Sequence, residues 1–304
     1  MITQMSNLSA RFVANMHCTR QLMLSLVLLI SGSVSLNGSP AQADPTRDTS
    51  LIKMRQNTAP HAEAFKTTTN TQSSATVAVA TNFLATAEKL VTAYASIAPG
   101  RIKLISGSSG KLYAQIMQGA PIDVFLSADR ERPLRLIEAG LAITETQFTY
   151  AQGRLIFWSN VDSDPKAKRT DALVTDALRN SRRIALANPA LAPYGTAAQD
   201  ALRHLQLYAK SQNKLVVAEN IGQAFAFVYS GNADAGFLAL TQWQQRPLAG
   251  GQYQLVPSSW HRPIAQDAVL LRRGQNNALA AGWLAFLDTA SAREIIRADG
   301  YVLD

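Results

Sequence analysis

The residues of this chain best suited to chemistry are small polar groups placed where apolar runs give way to helical periodicity. Four such junctions occur: Thr81-Asn82, Ser108-Ser109-Gly110, Pro193-Tyr194-Gly195 and Asn220-Ile221-Gly222. The first turn of a helix has backbone N–H groups with no intrahelical acceptor, and it carries the positive end of the helix dipole. It can therefore hold an anion without any charged side chain. Taken singly, Asn82, Ser109 and Asn220 also fit ordinary helix caps, and Gly107 and Gly110 fit simple turns. Four junctions, two in each half of the chain, weigh towards a shared anion site.

Reactive chemistry is poorly supported. Lys111 follows Gly110, but a phosphate-binding G-x-x-x-x-G-K-[ST] loop needs Gly at 105 and Ser or Thr at 112, where Ile105 and Leu112 stand. Gly107-Ser108-Ser109-Gly110 misses the G-x-S-x-G spacing of a serine hydrolase. His204 falls in a predicted helix and His261 beside Arg262, so both read as surface residues. Beyond residue 43 the three histidines His61, His204 and His261 show no H-x-H or H-x-x-x-H spacing, so a transition-metal site lacks ligands. Asp123 and Asp129 read as capping or internal acids. The expectation is a protein that is not an enzyme and has no cofactor or directly bound metal cation.

The elements that position these junctions follow from periodicity. Val77-Ala78-Val79-Ala80 reads as a strand, and Phe83, Ala87, Leu90, Val91, Tyr94 and Ala98 mark one face of a helix stopped by Pro99-Gly100. Strands at 102–105 and 122–126, each followed by a helix ending in Gly119 or Gly140, repeat the order. Three successive strand-helix units predict a parallel sheet with right-handed crossovers. The alternation returns at 183–187, 214–218 and 235–240. Residues 154–158 are suited to crossing between the halves, 264–271 to crossing back, and Leu279, Trp283 and Phe286 to a last helix packed on the first half. The fold class is α/β, with two lobes, each a mainly parallel sheet flanked by helices, and a ligand cleft between them.

Of 304 residues, 47% are hydrophobic and 16% charged, which rules out a wholly disordered chain. The formal charge is +8, but the basic residues are scattered and form no cluster interleaved with aromatics, so no nucleic-acid partner is expected. Residues 1–43 hold Arg11 and Arg20, no acid, the apolar run 22–30, and a small-residue ending Ala41-Gln42-Ala43. This is the layout of a cleavable secretory signal with a cut after Ala43, and the apolar run is too short to span a bilayer. Cys18, the single cysteine, leaves with it. Residues 44–75 are polar and aperiodic and read as a flexible leader.

Val77-Ala78-Val79-Ala80-Thr81-Asn82-Phe83, Gly107-Ser108-Ser109-Gly110-Lys111-Leu112 and the stretch from Gly119-Ala120-Pro121-Ile122-Asp123-Val124 through Phe125-Leu126-Ser127-Ala128-Asp129 closely resemble the molybdate-binding proteins of ABC importers. The likeness continues at Asn188-Pro189, Pro193-Tyr194-Gly195 and Glu219-Asn220-Ile221, and so covers about residues 76–304. It implies a type II periplasmic binding protein, with lobe 1 formed by 76–155 and 265–304 and lobe 2 by 156–264. It also implies a tetrahedral oxyanion, molybdate or tungstate, held by the side chain or amide of Thr81 and Asn82, the side chain and amide of Ser109, and the amides of Tyr194 and Ile221. The implied partner is the importer's membrane permease, and the implied state a periplasmic monomer. Some members of the family supply a tyrosine hydroxyl where Ala239 stands. Ala239 cannot donate, so the resemblance places this chain in the branch that uses Asn82, or makes it a weaker binder. Sulfate, another oxyanion or iron on the same fold is the alternative.

Overall fold

The computed structural model describes residues 73–161 and 169–303. The expected export signal, and the expected leader up to residue 72, lie outside the described residues. The first part of the chain runs β1 (Ser74–Ala80), α1 (Leu84–Ala95), β2 (Arg101–Gly107), α2 (Ser109–Met117), β3 (Val124–Leu126), α3 (Glu131–Glu138) and β4 (Phe148–Gly153). After Arg154 come β5 (Leu155–Ser159), α4 (Thr170–Asn180), β6 (Ile184–Ala187), α5 (Pro193–His204), α6 (Tyr208–Ser211) and β7 (Leu215–Ala218). Then follow α7 (Ile221–Tyr229), β8 (Ala235–Ala239), α8 (Leu240–Gln245) and β9 (Gln252–Leu255). The chain closes with β10 (Ile264–Leu270), α9 (Ala278–Phe286) and α10 (Ala290–Ala298). β1 opens at Ser74, two residues inside the stretch expected as leader.

Two five-stranded sheets result, in the orders β2-β1-β3-β10-β4 and β7-β6-β8-β5-β9. The two orders are the same pattern, with β6, β7, β8, β5 and β9 standing where β1, β2, β3, β10 and β4 stand. β1 pairs in parallel with β2 and β3, and β6 with β7 and β8. Each sheet is mainly parallel, as expected, and the reversed strands are β10 and β5, each antiparallel to both neighbours. The reason is connectivity. Each of these strands arrives from the other sheet, whose last strand ends at the cleft, and so it must run away from the cleft.

Side-chain alternation divides the first lobe's core into two layers. Val77, Val79, Val124, Leu126, Ala268 and Leu270 face α1, α9 and α10, where Leu90, Trp283 and Ile296 are fully buried. Ala78, Phe125 and Val269, the residues between them, face Leu112 and Ile116 of α2 and Leu136 of α3. A strand buried on both faces reads as an unbroken apolar run, which is why β1 is conspicuous in the sequence. One larger cluster fills the second lobe around Phe157, Phe237 and Leu238. Gly119 and Gly140 take φ of +82° and +70° after α2 and α3, the left-handed geometry that ends a helix most readily with glycine.

Candidate functional site

The parallel strands of each sheet end at the cleft, and the residues that follow them are the four polar junctions. β1 ends at Ala80 and continues into a 3-10 turn, Thr81–Phe83. β2 leads into α2, whose first residue is Ser109. In the second lobe β6 leads to α5, where Pro193 opens the helix and Tyr194 follows, and β7 leads to α7, which begins at Ile221. Thr81, Asn82, Ser109, Tyr194 and Ile221 all line one small cavity between the lobes. Its remaining wall includes Ser108, Asn220 and the methyl groups of Ala80, Ala128 and Ala192. No charged side chain lines it.

The capping roles are distributed so that the cavity keeps donors. Ser108, not Ser109, caps α2 and accepts the Lys111 N–H. Asn220 caps α7, accepting the Gln223 N–H at 3.0 Å, so its carbonyl oxygen is occupied. Ser109 is 1% exposed, and its Oγ accepts the Ala128 N–H at 2.9 Å, which leaves the hydroxyl hydrogen to point elsewhere. Thr81 Oγ1 is buried without a hydrogen-bond partner. The N–H groups of Asn82, Ser109, Tyr194 and Ile221 belong to first turns, and no loop, turn or cap hydrogen bond uses them. The cavity wall is therefore rich in unspent donors.

Asn82 departs from the simplest expectation. Its Nδ2 donates to Gln266 Oε1 at 2.8 Å and to Tyr301 Oη at 3.2 Å, while the Tyr301 hydroxyl donates to the Asn82 carbonyl at 2.8 Å. Its amide side chain thus ties β1 to β10 and the C-terminus, and the donor it keeps for the cavity is its backbone N–H. Sequence reasoning missed Gln266, Tyr301, Thr241 and Tyr150, which form this buried polar layer behind the cavity. Burial raises the Tyr150, Tyr194 and Tyr301 hydroxyls above the ordinary tyrosine range, so all three stay protonated.

The lobes meet closely around the site. The Gly110 N–H donates to the Leu191 carbonyl at 2.8 Å, and Lys111 Nζ lies 2.7 Å from Glu219 Oε1. A Cβ on Gly222, the second residue of α7, would come within 2.5 Å of Thr81 Cγ2, so only glycine allows that approach.

The other residues singled out in the sequence lie elsewhere. His204 stacks on Trp260, and His261 sits beside the Arg262 carbonyl. Asp123 accepts the Thr76 N–H and pairs with Arg273 beneath the far end of the first sheet, and Asp129 accepts the Arg132 N–H at the start of α3. Ala239 is fully buried at the end of β8 and does not line the cavity. Among the described residues no group of three or more His, Cys, Asp or Glu side chains could hold a metal ion. No helix among them is long and apolar enough to cross a membrane.

Comparison with known proteins gives the family and the fold. Residues 75–302 match the family model of bacterial extracellular solute-binding proteins. The molybdate-binding protein ModA of Rhodobacter capsulatus is 40% identical over 227 residues, spanning 75% of this chain and 87% of that protein. ModA of Azotobacter vinelandii is 37% identical over 232 residues, 75% of this chain and 89% of that one. The solved structure of the Azotobacter vinelandii periplasmic molybdate-binding protein superposes with a TM-score of 0.68 at 38% identity, covering 76% of this chain and 99% of its own. With one cavity ringed by helix N-termini between two like sheets, the chain belongs to the bacterial extracellular solute-binding proteins, in the family of the molybdate-binding proteins ModA.

Proposed function

We propose that this protein captures molybdate, and tungstate with it, in the periplasm and delivers it to the membrane permease of an ABC importer. The observation that carries this reading is a cavity wall of unspent N–H and O–H donors with no charged side chain. Thr81, Ser109 and the amides of Asn82, Tyr194 and Ile221 would hold the ion, and no reaction follows capture. Molybdate near neutral pH is a dianion without a proton, so every oxygen can accept. Phosphate retains a proton that would be buried without an acceptor, at a cost of about 1 to 3 kcal/mol. Sulfate is unprotonated but smaller, and only the fit of the cavity separates it. Iron calls for anionic or imidazole ligands, which this wall does not offer.

An export signal cleaved after Ala43 and a monomeric mature chain complete the proposal. Two lobes hinged about the crossings after Gly153 and before Ile264 would close on the ion and present a joint surface to the permease. A thermal-shift and calorimetric panel tests the ligand. Molybdate and tungstate should raise the melting temperature, by the equivalent of about 2.7 kcal/mol at a hundredfold excess over Kd, while phosphate should not. Equal shifts with phosphate would sink the donor-only reading, and a shift with sulfate alone would favour the sulfate alternative.

A further inference from the structure

Behind the cavity, Tyr194 reaches from the second lobe into the first. Its backbone lines the cavity, but its ring is 1% exposed and its hydroxyl lies over Gly153, the last residue of β4. A Cβ at Gly153 would overlap that hydroxyl and would stand 3.0 Å from Gln266 Nε2. Tyr194 Oη and Gln266 Nε2 therefore converge on one spot; both are buried without a hydrogen bond of ordinary geometry, yet the Gln266 and Asn82 amides lie near enough to act on the Tyr194 hydroxyl. Around them the network is filled. Gln266 Oε1 accepts from Asn82 Nδ2 at 2.8 Å and from the Tyr150 hydroxyl at 3.1 Å. The irregularity of β10 between Gln266 and Asp267 helps place the glutamine, since a bulge re-aims the side chain it carries.

We infer that Tyr194 and Gln266 are the two halves of an inter-lobe latch, and that the Tyr194 hydroxyl positions the closed state independently of its backbone N–H at the cavity. This rests on the oxyanion reading of the cavity. The two orphans are complementary: Nε2 only donates, and a neutral phenol oxygen can accept. Burial, reinforced by the neighbouring Tyr301, raises the Tyr194 hydroxyl well above the ordinary range, so it remains a phenol. Separation of the lobes would part Tyr194, on α5, from Gln266, on β10, and return both to water. Because Asn82 lies at the cavity and also holds Gln266, ion and latch bias the same closure, and each strengthens the other.

The test is Tyr194→Phe, which keeps the ring and the cavity N–H, measured by stopped-flow and calorimetry with molybdate. The expected result is a dissociation rate about tenfold faster, with the association rate within about twofold, as for loss of one buried hydrogen bond formed after encounter. Gln266→Leu should also weaken binding, and the double variant should be no weaker than the worse single one. An unchanged dissociation rate in Tyr194→Phe, or additive losses in the double variant, overturns the latch. A lowered melting temperature with unchanged affinity also overturns it, since that is what a purely structural role gives. If the parent binds none of the oxyanions, the functional reading fails. The same cycle read as melting temperatures still decides the contact, with additive shifts counting against it.

Discussion

At Ser109 one oxygen accepts the Ala128 N–H, and that bond turns the hydroxyl hydrogen away from β3. Ser109→Ala removes a proposed donor to the ion and leaves the Ala128 N–H without an acceptor. Affinity for molybdate should fall by about 1.5 to 3 kcal/mol, or roughly 10- to 150-fold, by calorimetry. Thr81→Val, which keeps the shape and removes the orphaned Oγ1, should cost a similar amount. Asn82→Ala should act differently and lower the melting temperature of the unliganded protein more than Ser109→Ala does, because it strips Gln266 and Tyr301 of a buried partner. The four polar junctions were legible in the sequence because helix-start chemistry is local, a polar residue directly after an apolar run, and the resemblance to a known family singled out the five residues within them. The layer behind them was not. Asn82 meets partners 184 and 219 residues away, and no spacing rule reaches that far.

For the elements, the sharpest constraint is the start of α7 against the turn after β1. Gly222→Ala should weaken molybdate binding by tenfold or more, since the added methyl meets Thr81 Cγ2 as the lobes close. Combining it with Thr81→Ser, which deletes Cγ2 and retains Oγ1, should restore most of the loss; a double variant as weak as Gly222→Ala would refute the steric account. β1, β2 and β3 were readable because each precedes a clear helix pattern or is buried on both faces. β4 and β9 were not. β9 is four residues long with no buried position, and β4 mixes Thr149 and Gln152 with Tyr150 and Ala151. Unlike β2, which is also an edge strand, neither leads into an α-helix, so no helix pattern marks where it ends. The antiparallel sense of β5 and β10 was equally hidden, because direction depends on where a chain arrives from.

Across the whole molecule, charge and protonation have little leverage on the cavity but a clear one on stability. Lys111 and Glu219 are each about half exposed, so their bridge across the lobes should contribute no more than about 1 kcal/mol. Lys111→Met should weaken molybdate binding less than fivefold, and the difference from parent should vanish in molar salt. Tyr150, Tyr194 and Tyr301 keep their protons in the fold at pH values where an unfolded chain ionises its phenols. These phenols therefore leave stability unchanged below about pH 10 and lower it above, by up to about 1.4 kcal/mol per pH unit for each phenol until the folded protein also ionises. Chemical denaturation between pH 8 and pH 12 reads this directly. The exchange of reversed strands has a temporal consequence. β4 joins the first sheet only through β10, so neither sheet-to-sheet crossing can be finished while the polypeptide is still growing past residue 264. The second sheet draws on no strand beyond β9, so it can settle first, while β4 waits outside the first sheet until β10 arrives.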